Sequence, residues 1–333
     1  FKQDCIMAAV CFIPLSMMLW LHWSNDTPAL PVFLGLTGIH LFYLLSWIDK
    51  PEYTGSRQWD DFIFWLQQLL MLLEDYFSFD ISVQDVDLDK PLSEDYYRDS
   101  FAEDRPRIFG FHPHGMYPCS VIWAPLSTKF RKVFGKLKIY TMTDAFTHVV
   151  PAMREFCQYT GGREVSKQVV SEMLNSKKTI MLVPGGQGEI MLHTRENLDA
   201  KIISLCAKHK GFVRMALKHN AELVPTFNFG ELQAIENIYL PKMQNLGRAL
   251  FGFPLPFLPV GIWGFLPIPR KVNMRWVIGK PIQPRTQIPG KPTEDEVAEM
   301  HRQYFLALRD LIDSHKEAAD YGEFKVEYKG IVI

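Results

Sequence analysis

Two long apolar runs lie near the amino end of the chain, at residues 6–23 and 31–48. Each is about 18 residues long, near the minimum for a helix that crosses a bilayer. The turn-forming stretch 24–28 separates them, and Lys2 and Lys50 lie just outside them. The positive-inside rule therefore predicts a transmembrane hairpin over residues 1–50, with both termini in the cytosol. A signal peptide would explain only one run, and a hairpin buried in a core is the alternative.

The next segment, residues 51–106, begins with an apolar-rich stretch and becomes polar. Residues 60–76 carry regularly spaced Leu, Phe and Trp between acidic ends, which predicts an interfacial or core helix rather than a third span. Residues 80–106 are acidic and rich in turn formers, so we interpret them as a connecting segment.

From residue 107 onward, short apolar runs alternate with helical patterns. The predicted strands are 108–111, 138–142, 179–183, 222–229 and 274–278, and the predicted helices are 163–176, 198–218 and 293–315. The continuous apolar run at 179–183 is typical of a strand that is covered on both faces. This alternation predicts an α/β domain over residues 107–333, with a mixed, largely parallel sheet flanked by helices.

Charge and cysteine usage narrow the function classes. The formal net charge is -1 and no basic stripe is interleaved with aromatics, so the sequence predicts no nucleic-acid partner. The five cysteines form no Cys-x-x-Cys pair, which indicates free thiols rather than a disulfide framework or a zinc cluster.

The stretch His112-Pro113-His114-Gly115 follows the first predicted strand and has three interpretations. A His-x-His pair can chelate a metal, but further ligands after later strands are missing, because His193 and His219 do not follow apolar runs. Alternatively, one imidazole is a general base that a carboxylate supports. The third interpretation is a structural turn.

A candidate carboxylate follows another buried strand, in Pro184-Gly185-Gly186 with Glu189. Glycine-rich turns of this kind expose backbone N–H groups that can bind a phosphate or an oxyanion. Both segments leave the carboxyl ends of strands, where open α/β sheets gather their ligand groups.

These stretches resemble the diacylglycerol acyltransferase type 2 family, which also holds monoacylglycerol and wax-alcohol acyltransferases. The amino-terminal hairpin is similar too, and further similar stretches follow the glycine-rich turn in the family's order. They are residues 210–216, Val224-Pro225, Phe229-Gly230-Glu231 and residues 277–282.

The resemblance implies an acyltransferase-like fold and an enzyme that transfers a fatty acyl group from acyl-CoA, a substrate, to diacylglycerol, with no cofactor and no metal. It implies that His114 is the general base, that Glu189 orients it, and that His112 shapes the turn or donates to the oxyanion. The expected substrate and oxyanion residues are Pro113, Gly115, Gly185, Gly186, Asn228 and Glu231. The candidates for pairing with CoA phosphates are Arg163, Arg195, Arg214 and Lys218.

Alternatives stay open at this point. The acceptor could be a monoacylglycerol or a long-chain alcohol. From other classes, the chain could be a metal-dependent hydrolase that uses His112 and His114, or a non-catalytic lipid-droplet scaffold. The expected location is the cytosolic face of the endoplasmic reticulum membrane and the lipid-droplet surface. Membrane lipid is an expected partner, and a homo-oligomer is a further hypothesis.

Overall fold

The computed structural model describes residues 48–86, 105–115, 118–135, 137–251, 258–264 and 268–333, with Leu45 and Leu266. The predicted spans, 6–23 and 31–48, lie almost entirely outside these residues. Within the described part of the chain, no helix is both long enough and apolar enough to cross a membrane.

Helices and strands alternate along most of the described chain. The helices are α1 (Pro51–Thr54), α2 (Asp60–Tyr76), α3 (Cys119–Trp123), α4 (Thr128–Phe134), α5 (Met153–Tyr159), α6 (Lys167–Asn175), α7 (Gln187–Ile190), α8 (Arg195–Asp199), α9 (Gly211–Lys218), α10 (Glu231–Ala234), α11 (Pro241–Phe251) and α12 (Glu294–His315). The strands are β1 (Asp80–Val83), β2 (Arg107–His112), β3 (Ile139–Thr143), β4 (Arg163–Glu164), β5 (Thr179–Leu182), β6 (Ile202–Cys206), β7 (Glu222–Phe229), β8 (Glu236–Asn237), β9 (Pro259–Val260), β10 (Arg275–Ile278) and β11 (Lys325–Lys329).

The chain divides into two compact units, of which the smaller holds residues 1–60 and 143–165 and the larger holds residues 61–142 and 166–333. In the smaller unit, α1 ends at Gly55, whose positive φ of 67° suits a glycine at a helix end. The rings of Trp59 and Tyr159 meet edge to face at 5.8 Å. Contacts of this kind join its two stretches of chain.

The larger unit contains a mixed sheet with strand order β1-β10-β7-β2-β5-β3. Strands β7, β2, β5 and β3 are parallel, β10 is antiparallel to β7, and β1 is parallel to β10. The predicted mixed, largely parallel sheet is therefore confirmed. Arg107 pairs with both Glu222 and Thr179, so β7, β2 and β5 start level with one another. The chain segments that leave β2 and β5 consequently meet at one edge of the sheet.

Helix α12 packs on β7 and β10 and covers one face of this sheet. Its start is a capping box, because Thr293 Oγ1 accepts the Glu296 N–H at 3.2 Å and the Glu296 carboxylate accepts the Thr293 N–H at 2.7 Å. Thr293, the first residue of the helix predicted at 293–315, is thus its cap. The helix buries Tyr304 and Phe305 completely, so both aromatic side chains lie between the helix and this face of the sheet.

Three sequence predictions are wrong in part. The helix predicted at 198–218 is interrupted by β6, which pairs in parallel with β11, a strand far along the chain that local periodicity cannot reveal. The connecting segment predicted at 80–106 begins with β1, whose pairing with β10 overrides its polar composition. Helix α6 starts only at Lys167, because Ser166 caps it by accepting the Val169 N–H at 3.3 Å.

Helix α2 has apolar side chains both on its buried face and on its exposed face. Ile63, Leu66 and Leu70 are buried, while the opposite face exposes large apolar side chains. The exposed ones are Phe64, Trp65, Leu69, Met71 and Leu72. A face of this kind suits an apolar partner better than water.

Candidate active site

The two histidines of the first motif have different surroundings. Strand β2 is buried along its whole length and ends at His112, whose side chain is 0% exposed. His114 lies in the turn that follows and is only half-buried. Of the two imidazoles, His114 is therefore the one with access to a substrate.

Glu189 of α7 lies next to this turn and is fully buried. Its carboxylate accepts the backbone N–H of His114 at 2.7 Å and that of Cys206, at the end of β6, at 2.9 Å. Its Oε1 lies 3.7 Å from His112 Nδ1, which has no hydrogen-bond partner. The sequence prediction placed Glu189 against the His114 ring. In the structure it holds the His114 backbone and faces the His112 ring instead.

The contacts of Glu189 determine whether its carboxyl group is ionised. Burial by itself would raise the pKa of Glu189. The interactions with His112, the charge of His193 and the His114 N–H outweigh burial and lower the pKa of Glu189 to about 2. Glu189 is thus a buried carboxylate that keeps its negative charge at neutral pH.

Tyr304 of α12 supports His112 from the other side. Its hydroxyl oxygen lies 3.1 Å from His112 Nε2 and donates to the Gly110 carbonyl at 3.3 Å. A side chain at Gly110 would overlap this hydroxyl, so the position requires glycine. The sequence analysis missed Tyr304, because a tyrosine on the apolar face of a helix has no feature that distinguishes it from a core residue.

The tautomer of neutral His114 is set by its own turn. His114 Nδ1 lies 3.1 Å from the Gly115 carbonyl oxygen. A carbonyl only accepts hydrogen bonds, so Nδ1 carries the proton and Nε2 has the free lone pair. An imidazole in this state, with access to substrate, has what a general base requires.

The predicted glycines position the carboxylate and the turns. A methyl group on Gly185 would overlap the Glu189 carboxyl group. Gly186 has a φ of 50° and donates its N–H to the Val183 carbonyl at 3.1 Å. Because the Gly186 N–H is already used in this way, Gly115, with a φ of 64°, is the better backbone candidate for an oxyanion donor.

Asn228 and Glu231, predicted as substrate or support residues, form a buried cluster with Ser120 of α3. Asn228 Nδ2 donates to Ser120 Oγ at 2.8 Å and to Glu231 Oε2 at 2.6 Å, and the Glu231 carboxylate also accepts the Ser120 N–H at 3.2 Å. Burial raises the pKa of Glu231, and these hydrogen bonds oppose that shift. The cluster ties the start of α3 to the end of β7. Asn228 and Pro113 line one cavity, which places the cluster beside the histidine turn.

The residues His112, His114 and Glu189 lie within a stretch of sequence that matches a known protein family. A sequence profile described as "Diacylglycerol acyltransferase" matches residues 72–326, more than half of the chain, including both histidines and Glu189. The chain belongs to the diacylglycerol acyltransferase family. The family that the sequence motifs predicted is therefore confirmed.

Individual relatives carry different names. The chain is 29% identical to 2-acylglycerol O-acyltransferase 1 of Bos taurus, over 86% of this chain and 84% of that protein. It is 28% identical to Diacylglycerol O-acyltransferase 2 of Bos taurus, over 66% of each chain. It is 32% identical to Acyl-CoA wax alcohol acyltransferase 2 of Mus musculus, over 64% of this chain and 66% of that one.

Among solved structures, the 1-acyl-sn-glycerophosphate (LPA) acyltransferase PlsC of Thermotoga maritima matches 75% of this chain and 79% of its own. The identity is 12% and the TM-score is 0.38, a likeness too low to support an argument.

The four basic residues predicted to bind CoA phosphates have different surroundings. Arg163 lies buried in the smaller unit. In the larger unit, Arg214 forms two hydrogen bonds with Glu294, at 2.6 and 2.8 Å. Lys218 ends α9 just before β7 starts, at the edge of the sheet opposite His114. Arg195 is exposed and lies 4.0 Å from Asp199. Of the three in the larger unit, Arg195 is the one that lies near the Glu189 segment.

His193 lies beside the Glu189 carboxylate, although the sequence analysis set it aside as a metal ligand. Its backbone N–H donates to the Glu189 carbonyl at 3.2 Å, one helical turn after the carboxylate. Its ring is 7% exposed, and neither ring nitrogen has a hydrogen-bond partner. The signal that could have found it is the spacing Glu189-x-x-x-His193, which places both residues on one helical face.

Candidate metal ligands were also predicted as an alternative at the two histidines. Within the described residues, no group of three or more His, Cys, Asp or Glu side chains is arranged to hold a metal ion.

Proposed function

We propose that this protein is an acyl-CoA-dependent O-acyltransferase that esterifies a glyceride hydroxyl, with diacylglycerol as the acceptor predicted from the sequence. The observation that carries the proposal is His114, a half-buried imidazole whose Nδ1 is occupied by the Gly115 carbonyl and whose Nε2 is free. Membership of the diacylglycerol acyltransferase family supports this reaction class. Relatives named for acylglycerol, diacylglycerol and wax alcohol make monoacylglycerol and long-chain alcohol the alternative acceptors.

In the proposed reaction, His114 Nε2 accepts the proton of the acceptor hydroxyl while its oxygen attacks the thioester carbon. The carbonyl oxygen becomes an oxyanion, for which the Gly115 N–H is the proposed donor. The intermediate then breaks its C–S bond, and the CoA thiolate takes the proton from His114. The ester forms without a covalent acyl-enzyme, because the base activates the acceptor directly.

Glu189 contributes through charge and position. It accepts the His114 N–H at 2.7 Å, so its negative charge lies close to the imidazole that becomes cationic. We propose that this charge stabilises the His114 imidazolium. His112 has Glu189 on one side and Tyr304 on the other, so we propose that it positions the turn and does not contact substrate.

The direct test uses purified full-length protein in lipid micelles with labelled oleoyl-CoA. The acceptors are diacylglycerol, monoacylglycerol, a long-chain alcohol and water, and the variants are wild type, His114→Ala and His219→Ala. His219 is a matched control, since it bonds to Asn175 and Ser171 at the other end of the sheet. We expect ester product from wild type and from His219→Ala. His114→Ala should lose about 10²–10⁴ of the rate.

Other results separate the alternatives. Free fatty acid alone, with loss of activity in a chelator, would favour the hydrolase. No product from any acceptor would favour the scaffold, and full activity in His114→Ala would remove His114 from the mechanism.

We further propose that the exposed apolar face of α2 lies on a lipid surface. The acceptors named above are membrane-soluble, and Trp65 and Phe64 are 68% and 60% exposed. Aromatic and aliphatic side chains on one helical face are typical of helices that lie in a membrane interface. The endoplasmic reticulum membrane and the lipid-droplet surface remain the proposed location.

A further inference from the structure

The buried His193 ring borders a small cavity next to the proposed active site. Two features are needed for this cavity to bind a ligand group: polar atoms without protein partners, and space for the group. The cavity is lined by His193, Thr194, Arg195, Leu198, Leu232, Ile235, Glu236 and Asn237.

Two of these side chains are buried and lack partners. His193 is 7% exposed, and both of its ring nitrogens are without a hydrogen bond. The Ser204 backbone lies close to this ring and raises the pKa of His193. Asn237 is 8% exposed, and its Nδ2 group also lacks a partner, although its Oδ1 accepts from Gln244 at 3.3 Å. Buried polar groups without partners are costly, so these two groups can hold a small polar group that enters the cavity.

The charge state of His193 fits a neutral ligand. Burial lowers the pKa of His193 to about 4, with the charge of His114 acting in the same direction and that of Glu189 opposing it. A neutral imidazole has one N–H donor and one acceptor nitrogen. A hydroxyl group both donates and accepts, so it can pair with either ring nitrogen, and its oxygen can also accept from Asn237 Nδ2.

The cavity is the size of one such group. It offers about 10 Å³ to the centre of a water molecule, which is near the minimum for a single water or hydroxyl and excludes a hydrocarbon chain.

Its position links it to the reacting histidine. A methyl group on Gly115 would touch Leu232 Cδ2 at 3.4 Å, and Leu232 also lines the cavity, so the cavity adjoins the His114 turn. An adjoining cavity shares Leu198 and Leu232 and is lined by Pro113.

We propose that this cavity is the subsite for the non-reacting hydroxyl of a monoacylglycerol acceptor, with His193 and Asn237 as its hydrogen-bonding groups. One hydroxyl of the glycerol then loses its proton to His114 while the second is held by His193. The proposal rests on the proposed function and favours its monoacylglycerol alternative over the diacylglycerol acceptor predicted from the sequence. Diacylglycerol and long-chain alcohols have only the reacting hydroxyl and leave the subsite empty.

The test compares kcat/KM of full-length protein for monooleoylglycerol, dioleoylglycerol and a long-chain alcohol, with oleoyl-CoA as donor. His193→Leu removes both nitrogens, His193→Gln retains a donor and an acceptor, and His219→Leu is the control at the other end of the sheet. We expect His193→Leu to lower kcat/KM for monooleoylglycerol by about 10-fold to 100-fold, mainly through KM, because a buried hydrogen-bonded hydroxyl loses its partner. The single-hydroxyl acceptors should change by less than about twofold, and His193→Gln should recover part of the loss.

The outcomes are separable. An equal loss for all three acceptors, or no loss for monooleoylglycerol, would overturn the subsite. If His193→Leu fails to fold, His193→Gln and Asn237→Leu provide the same comparison, and an unchanged preference among acceptors in both would also overturn it. Wild type that esterifies no acceptor would instead refute the proposed function on which the subsite rests.

Discussion

Glu189→Gln is the most informative single substitution, because it keeps the size of the side chain and removes its charge. The carboxylate accepts two backbone N–H groups, from His114 at 2.7 Å and Cys206 at 2.9 Å. Glutamine has one oxygen and one NH₂ group. One of the two N–H groups would therefore face a second donor and lose its acceptor.

Two arguments give similar values for the loss in the free energy of unfolding that Glu189→Gln should cause. A pKa that falls from 4.5 to about 2 on folding corresponds to about 3 kcal/mol of stability at neutral pH. A buried N–H without an acceptor costs about 1–3 kcal/mol. Both describe the same interaction, so they are not summed, and we expect a loss of about 3 kcal/mol in the free energy of unfolding.

The pH dependence has a definite sign. The pKa of Glu189 is lower in the folded state, so the stabilisation is full above the unfolded value of 4.5 and is lost as pH falls towards 2. Urea unfolding in detergent, followed by tryptophan fluorescence, should show a gap between wild type and Glu189→Gln of about 3 kcal/mol at pH 7, shrinking to about 1 kcal/mol at pH 3. Glu172→Gln, at an exposed position, should show no gap at either pH. A gap that is absent at pH 7, or equal at both pH values, would refute the assignment of a buried ionised carboxylate.

Three further substitutions test the surroundings of this site. Tyr304→Phe leaves His112 Nε2 buried without a partner, so the free energy of unfolding should fall by about 1–3 kcal/mol. The value of kcat should fall while KM changes little, and an unaltered kcat would show that the orientation of His112 is unimportant. Gly185→Ala would displace the Glu189 carboxyl group and should reduce kcat. Full activity of this variant would contradict a positional role for the carboxylate. Trp65→Ser should weaken sedimentation with phospholipid vesicles about 10-fold to 100-fold, since burying a large apolar side chain in lipid is worth about 1.5–3 kcal/mol. Unchanged vesicle binding would remove α2 from the lipid contact.

The candidate site was largely readable from the sequence where chemistry follows a buried strand. His112 and His114 come after β2, and Glu189 comes after β5, so their proximity follows from two parallel strands that start level with each other. Gly185 could be named for the same reason. This reasoning works because the carboxyl ends of parallel strands meet at one edge of the sheet, whatever the rest of the fold does.

Residues that reach the site from elsewhere were not readable in this way. Tyr304 arrives on a helix that is distant in the chain, and only the packing of α12 on the sheet brings its hydroxyl to His112. Strand β6 was taken for part of a helix, because its partner β11 lies near the end of the chain. The role of its last residue, Cys206, as a donor to Glu189 was hidden for the same reason.

The sequence by itself determined the family, the alternation that builds a mixed, largely parallel sheet, and the motifs that carry imidazole and carboxylate. Those properties depend on local periodicity and on residue types at short spacing. Tertiary structure alone decided that His112 is buried while His114 is half-exposed, that Glu189 holds the His114 backbone rather than its ring, and that His193 borders a cavity. Those properties depend on burial and on contacts between segments far apart in the chain, because access, ionisation and hydrogen-bond pairing are set by what surrounds a side chain.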